Sequence, residues 1–305
     1  STFSLGDTVY LSTPTLAVTF HKSKFTLPHW FDGNTTSDGT TQIRVKFENE
    51  RLQKELENNI AEWLNSPFSL LFFNHIRSLR LGDHDLSWKS SGIGPISNSE
   101  KMVLNGAQTP YLVIHSEFES FPDEALKEIN EARWVDMDES ANIPPCKIEI
   151  VLGARGQLFV VLPTGVKTNL SFAVNAPFIQ DPSRLKIKDP EVSFTNRWLL
   201  ERAGKLAANA MLHWLDNQDL DVSERAKSYD LMPAPNEKED SLENSCKMVI
   251  EEAFLRALQE KAYVLTDEGN LTLPGKTANV PSVLWDIWSA TEIAEILREK
   301  DERPS

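Results

Sequence analysis

Three basic residues alternate with apolar residues near the end of the segment from Gln180 to Lys188. If this segment is extended, Arg184, Lys186 and Lys188 lie on one face, because successive side chains of a strand point to opposite sides. Three cations on one face of an acidic protein are typical of a contact with a phosphate or with an acidic partner. The same alternation is typical of a solvated edge segment whose charges prevent aggregation. The spacing alone favours this second interpretation but leaves both open.

The other candidate motifs for phosphate or metal binding are incomplete. Leu273–Thr277 ends like a phosphate-binding loop, but the Walker pattern needs a glycine at position 270, where the chain has Asn270. We therefore predict an ordinary loop there. Asp83–Asp85, with His84 between the two acids, is the densest group of metal-ligating residue types. A polar turn explains it equally well.

The sequence gives little support for a catalytic nucleophile or for a nuclease site. Neither Cys146 nor Cys246 has a histidine nearby in sequence, so we predict that both are buried apolar side chains. A nuclease site needs acids and a lysine on one strand. Glu149 is the nearest candidate, but Val151 stands where the lysine would be expected.

Composition limits the class of protein. The chain has 305 residues with 45 acidic and 31 basic side chains, a net charge of −14, which disfavours a uniform binder of duplex DNA or anionic membranes. Two cysteines cannot form a disulfide framework, so we expect a reducing, cytoplasmic environment. The chain starts at Ser1 and enters a strand-like run at Thr8–Leu11 without a secretory leader. We therefore expect a piece of a longer protein.

The elements that must position these residues change character along the chain. Strand patterns at Leu16–Phe20 and Gln42–Phe47 are followed by a helix in which leucine or isoleucine recurs every fourth residue up to Pro67. Ser69–Leu81 fits either a helix or a buried strand.

The middle of the chain is rich in predicted strands. They lie at 111–118, 146–152, 157–163 and 170–174, with a helix at about 120–132. The turn Gly153–Gly156 between two apolar runs predicts a hairpin. Strands mixed with helices predict an α+β fold.

After Pro190 the pattern becomes helical. Apolar residues keep helical spacing from Leu199 to Trp214 and again over 242–262, and Ser289 and Glu292 have the spacing of a capping box. The polar, acidic stretch 216–240 between the two long helices predicts a mobile linker.

Several segments resemble the sacsin-type branch of the GHKL ATPases, a superfamily that also contains the heat-shock chaperones, gyrase and the mismatch-repair ATPases. The most specific block comprises Leu162–Thr164, Leu170–Phe178, Asp181–Arg184 and Asn196–Leu200. Leu27–Trp30, Gly39–Ile43 and Pro67–Arg80 resemble earlier elements of the same family. The resemblance covers most of residues 1–215.

The resemblance implies a fold and a cofactor. Residues 1–47 would be the C-terminal remnant of a GHKL ATP-binding domain, 48–190 a transducer (middle) domain with a mixed sheet and helices, and 191–305 a helical region with the acidic linker 216–240. The Glu/Asn helix, the adenine-binding loop and the glycine-rich lid with which the family binds ATP and Mg²⁺ do not occur in this sequence. We therefore expect a piece that begins just after the lid and has no ATPase activity alone.

The resemblance also implies roles for the cationic segment. In these ATPases the transducer domain supplies a cation that reaches the γ-phosphate when the lid closes. This implies Arg184 as the catalytic residue, with Arg184, Lys186 and Lys188 as the nucleotide-binding side chains. Arginine suits the role because its guanidinium is a permanently charged fork that stabilises charge developing on a phosphate. Hydrolysis would thereby be coupled to domain motion.

The resulting expectation is an ATP-dependent conformational switch of chaperone or antiviral-defence type. It would act in the full-length cytoplasmic protein on a protein partner or client, with homodimerisation as a family expectation. The alternative is a non-enzymatic module that binds a partner. Trp285 and Trp288, next to Leu284 and Ile287, could form its apolar face, or both tryptophans could be core residues.

Overall fold

The computed structural model describes residues 6–30, 35–36, 39–65, 67–73, 76, 78–133, 143–154, 156–181, 185–234, 240–266, 268–276, 282–285, 287–289, 291–293 and 295–296. The chain divides into two compact units, residues 1–67 and 68–305. Both contain strands and helices, so the protein is α+β, as predicted. Within the described part of the chain, no helix has the length and apolar character that crossing a bilayer requires.

The first unit is an antiparallel sheet followed by one helix. Its four strands, in the order β3-β2-β1-β4, are β1 (Thr8–Ser12), β2 (Ala17–His21), β3 (His29–Trp30) and β4 (Gln42–Val45). The strands predicted at Leu16–Phe20 and Gln42–Phe47 are thus confirmed, to within two residues at each end. Helix α1 spans Glu50–Asn65 and ends before Pro67, as the fourfold apolar spacing predicts.

The second unit is built on a mixed sheet of eight strands. They are β5 (Ser78–Leu81), β6 (His84–Ile93), β7 (Ser99–Leu104), β8 (Tyr111–His115), β9 (Glu149–Leu152), β10 (Gln157–Val160), β11 (Leu162–Lys167) and β12 (Phe172–Asn175). Their order is β11-β10-β12-β9-β8-β7-β6-β5, and only β10 and β12 pair in parallel. Helix α2 (Asp123–Arg133) lies between β8 and β9 in sequence and confirms the helix predicted there.

The predicted hairpin at Gly153–Gly156 is wrong. Strand β12 lies between β9 and β10, antiparallel to the first and parallel to the second. Gly156 instead donates its N–H to the carbonyl of Leu170 at 3.0 Å. A Cβ at Gly156 would lie 2.5 Å from the carbonyl oxygen of Thr168, so glycine permits the chain to approach the 168–170 segment. β9 therefore pairs with the distant strand β12 and not with β10, the next strand in the chain.

Helices cover one face of this sheet. They are α2, α3 (Phe194–Asp216) and α5 (Leu242–Leu258), and the short helix α4 (Val222–Ala226) follows α3 in the chain. Ser193 and Ser241 cap α3 and α5 by accepting the N–H of Asn196 and Asn244. The apolar faces of both long helices share one core with alternate residues of the strands, such as Ile114, Ile150 and Val174.

The acidic stretch 216–240 differs from the predicted linker. Its described residues 216–234 contain α4 and a 3₁₀-helix at Lys227–Leu231. Leu231 is fully buried, and the buried Arg225 donates to the carbonyl oxygens of Leu215 and Gly269 at 2.6 and 2.9 Å. These contacts fix a stretch that composition alone marks as mobile, so the linker prediction is wrong for this part.

The chain that precedes β5 packs on part of the second face of the sheet. The ambiguous run Ser69–Leu81 forms the end of a 3₁₀-helix (Pro67–Phe72) and then β5. Three aromatic pairs hold this segment on the sheet, Phe68 on Tyr111, Phe72 on Phe159 and Phe73 on Trp88, with ring centroids 5.1, 5.1 and 6.0 Å apart.

The remaining elements lie near the C-terminus. Strands β13 (Val264–Leu265) and β14 (Leu271–Thr272) form a small hairpin, and helix α6 spans Ser282–Trp285. The predicted capping box is confirmed, because Ser289 N–H donates to the Glu292 carboxylate at 2.8 Å and the Ser289 hydroxyl accepts the Glu292 N–H at 3.4 Å.

Candidate functional site

The cationic segment forms a loop whose two arms are hydrogen-bonded to each other. Asp181 N–H donates to the carbonyl of Lys186 at 2.9 Å, and Lys188 N–H donates to that of Ile179 at 2.8 Å. Ile187, between the two lysines, is buried, so the lysines alternate with a core residue as the extended pattern predicts. Arg184, the principal candidate, lies outside the described residues. We call residues 179–188 the cationic loop.

Asn196 fastens the cationic loop to the first turn of α3. Its side chain is fully buried and accepts the N–H of Ile179 at 2.7 Å. The same amide donates to the carbonyl oxygens of Ile179 and Lys188 at 2.8 and 2.7 Å. One side chain thus satisfies three backbone groups on both arms of the loop, which fixes the loop to the helix.

Lys188 is held by a second, partly buried network. Its ammonium contacts Glu128 of α2 at 2.8 Å. The same carboxylate accepts the Ser193 hydroxyl at 3.1 Å and the Thr195 N–H at 2.9 Å. Burial alone would raise the pKa of Glu128, but these bonds, that of Lys188 foremost, outweigh it and the pKa is lowered. Glu128 is therefore a charged partner that keeps Lys188 in place.

Lys186 is bound more loosely. Its ammonium lies 3.3 Å from Glu243 of α5, and the two side chains are 50% and 30% exposed. An exposed ion pair of this kind contributes roughly 0–1 kcal/mol. An incoming phosphate could therefore replace Glu243 at little cost, whereas taking Lys188 would leave Glu128 without its cation. Of the two described candidates, Lys186 is the more loosely paired cation.

A polar row across the sheet contains residues that sequence reasoning did not assemble. His115, Glu149 and Asn175 stand directly opposite one another on β8, β9 and β12. The Glu149 carboxylate accepts from His115 Nδ1 at 3.2 Å, from Lys147 Nζ at 2.8 Å and from Asn175 Nδ2 at 2.8 Å. The sequence singles out Glu149 alone, as a nuclease candidate. Lys147 is two positions before it, but no local spacing relates His115 and Asn175 to it.

Glu149 is a buried carboxylate that is kept ionised. Its side chain is 7% exposed. Burial would raise the pKa of Glu149, but hydrogen bonds from His115, Lys147 and Asn175 outweigh this effect, and the pKa is lowered. An ionised Glu149 can only accept, so His115 Nδ1 carries the proton. In the neutral ring, His115 Nε2 is then an acceptor.

A cavity of about 440 Å³ opens beside this row. Its wall is partly apolar and aromatic and partly charged, and it is lined by Leu71, Phe73, Trp88, Lys89, Ser90, Glu100, Met102, Val113, His115, Lys147 and Glu149. The strand residues among them come from β6 to β9, and Leu71 and Phe73 come from the segment before β5. All of them belong to the second unit.

The remaining candidates are the two cysteines and Asp83–Asp85. Cys146 and Cys246 are buried, as predicted, and burial, followed by nearby Asp189 and Glu243, raises the pKa of the Cys246 thiol to about 12. Among the residues with described positions, no three His, Cys, Asp or Glu side chains come together as a metal site. Asp83–Asp85 lies at the start of β6.

Of the two tryptophans Trp285 and Trp288, the structure describes the side chain of Trp288. Trp288 is 41% exposed and its neighbour Ile287 is 65% exposed. The side chain of Trp285 lies outside the described set. Ile287 and Trp288 are therefore two exposed apolar side chains at this end of the chain.

Comparison with family models, with curated proteins and with solved structures finds no match for this chain. Any assignment of function therefore rests on the geometry of the chain itself and on its sequence motifs.

Proposed function

We propose that this chain supplies the transducer part of an ATP-driven conformational switch of the sacsin and heat-shock-chaperone type. The observation that carries the proposal is the anchoring of the cationic loop. Its arms are bonded to α3 through Asn196, to α2 through Lys188 and to α5 through Lys186. A loop joined to three helices is suited to pass a change at its cations to the helical layer.

Within this proposal the cations divide into two roles. Arg184 and Lys186 contact the γ-phosphate of ATP, and Lys188 holds the loop on Glu128. When bound, ATP with Mg²⁺ would supply the transferable phosphoryl group. When Lys186 moves to the phosphate it releases Glu243 at the start of α5, so that the position of α5 depends on the state of the nucleotide.

The first unit supports the assignment as part of a larger ATP-binding domain. Trp30, Val18, Leu11 and Ile43 form one cross-strand row of its sheet. Val18 is buried, but Trp30 and Ile43 at the two edges are 74% and 61% exposed. An apolar row with exposed ends is expected of a sheet that further structure covers. In the proposal this is the nucleotide-binding part of the domain, in a cytoplasmic protein with a chaperone or defence role.

The test is ATP turnover by the longest natural chain that contains this sequence. We expect Arg184→Ala to lower turnover at least tenfold, which corresponds to about 1.4 kcal/mol, and Lys186→Ala to lower it less. Arg256→Ala, which removes an exposed arginine from α5, is the matched control and should leave turnover unchanged. Turnover that is insensitive to both Arg184 and Lys186 would contradict the assigned roles.

A non-enzymatic partner-binding module is the second candidate, favoured by the exposed Ile287 and Trp288. It predicts no ATP turnover by any natural chain that contains this sequence. It also predicts that Trp288→Ala abolishes capture of the partner while leaving the unfolding temperature unchanged. ATP turnover that depends on Arg184 would exclude it as the main function.

A further inference from the structure

The cavity beside Glu149 contains a cation with spare hydrogen-bond donors. The Lys147 ammonium has three donors, and within the described part of the chain one of them goes to Glu149 at 2.8 Å. Two donors are therefore left for a ligand. Trp88 lines the same cavity and is 2% exposed, so the wall beside the cation is well packed.

The polar groups at one end of the cavity are fixed before any ligand arrives. Glu149 holds both His115 and Lys147, and Asn175 holds Glu149 from the other side. The Asn175 carbonyl oxygen is itself fixed by the N–H of Val161 at 2.8 Å. Lys147 is therefore directed by a buried counter-ion, which reduces the entropy lost when it binds a ligand.

The rest of the wall defines the body of the ligand. Leu71, Phe73, Met102 and Val113 are apolar, and they come from both the sheet and the segment that covers it. A volume of about 440 Å³ lies in the range of small-molecule pockets. A compact aromatic or branched aliphatic group fits this lining, because it removes apolar surface from water.

We propose that this cavity binds a small carboxylate with an aromatic or aliphatic body. The carboxylate contacts Lys147, and the apolar body lies against Phe73, Met102 and Val113. Glu100 and the ionised Glu149 line the same cavity and oppose a negative ligand, so they limit its affinity, and they are balanced in part by Lys89 and Lys147. The site is distinct from the cationic loop and does not depend on ATP.

The test uses probes that share one body and differ in charge. We expect 3-phenylpropionate to bind the whole chain in isothermal titration calorimetry and to raise its unfolding temperature, and 2-phenylethylamine to do neither. Lys147→Gln should weaken binding of 3-phenylpropionate at least tenfold. Glu100→Gln should tighten it, because a like charge is removed. Binding of the amine alone, or of neither probe, would overturn the proposal.

A second variant and a peptide comparison ensure that the experiment can contradict the proposal. If Lys147→Gln does not fold, the opposite effect of Glu100→Gln decides, since weaker or unchanged binding in that variant contradicts a carboxylate ligand.

The peptide Gly-Gly-Phe, with a free carboxylate, is compared with its C-terminal amide. Binding of the free peptide alone identifies a chain terminus as the source of the carboxylate. Binding of 3-phenylpropionate but of neither peptide identifies a small acid.

Discussion

His115 and Glu149 face each other across β8 and β9, with Nδ1 of the imidazole 3.2 Å from Oε1 of the carboxylate. A carboxylate at this depth is kept ionised by the donors that contact it, and Lys147 and Asn175 are the other two. The stability of the second unit should therefore depend on the charge of Glu149.

Replacing Glu149 by glutamine is expected to destabilise the protein by about 2–3 kcal/mol at pH 7, since the bonds to Lys147 and His115 lose their charge. The pKa of Glu149 is lowered in the folded state from its usual 4.5. Its contribution to stability is therefore full above about pH 4.5 and is lost as the pH falls through the lowered value. Urea unfolding at pH 7 and at successively lower pH should show the gap between wild type and Glu149→Gln closing.

The control for this pH series is Glu252→Gln, which changes an exposed carboxylate on α5. Its difference from wild type should be small and independent of pH. A gap for Glu149→Gln that stays constant as the pH falls would mean that the lost side-chain geometry, and not the charge, causes the destabilisation.

His115 and Glu149 also show how much of this site can be predicted from the sequence. The strands around His115 and Glu149 are predicted from their apolar patterns, and their positions are confirmed. The contact between these residues is not predicted, because they are 34 positions apart and Asn175 is a further 26 from Glu149. Sheet order and register bring them together. The pattern that marks a strand does not specify its neighbour.

At the acidic stretch, the prediction from composition is wrong for a different reason. Residues 216–234 are polar by count, yet Arg225 is 3% exposed and Leu231 is fully buried. A few buried anchors among many solvated residues are enough to fix such a segment, and an average over the stretch hides them. At the cationic loop the alternation of Lys186 and Lys188 was predictable, but their different partners, Glu243 and Glu128, were not.

Asn196→Ala should loosen the cationic loop. The change leaves the N–H of Ile179 and the carbonyl of Lys188 without their partner, at about 1–3 kcal/mol for each group that stays buried, whereas the carbonyl of Ile179 still accepts the Lys188 N–H. We expect a loss of at least 2 kcal/mol in the free energy of unfolding and faster amide hydrogen exchange at Ile179 and Lys188. Arg197→Ala, at the next and exposed position of α3, is the control. Equal exchange in both variants would argue against the anchor.

Gly204→Ala tests the contact between α3 and α5. In an exposed helix the change would stabilise by about 1 kcal/mol. Here the added Cβ would lie 2.3 Å from the carbonyl oxygen of Ile250 and 2.9 Å from Cβ of Ala253. The two helices would have to separate, so we expect a net loss of about 1–3 kcal/mol by thermal unfolding. Lys205→Ala, at the exposed neighbouring position, should change little. A more stable Gly204→Ala variant would show that the helices are not packed this closely.

Val161→Gly should stabilise the turn between β10 and β11. Val161 has a φ of 61°, in the left-handed region that a β-branched residue rarely adopts, and its side chain is 41% exposed. The position is imposed by the backbone, whose N–H is bound by the Asn175 side chain at 2.8 Å. Glycine keeps that bond and removes a steric cost of about 1–2 kcal/mol, against a loss of up to about 1 kcal/mol from the greater freedom of the unfolded chain.

Three substitutions at Val161 separate these two effects. Val161→Ala keeps a Cβ and most of the strain, so its melting temperature should stay near that of the wild type. Asparagine tolerates the left-handed conformation and restricts the unfolded chain more than glycine does, so Val161→Asn should gain the most. The order asparagine, glycine, alanine in melting temperature supports a strained turn. If alanine equals or exceeds glycine, the left-handed backbone at Val161 does not limit stability, and the bond to Asn175 holds the turn without cost.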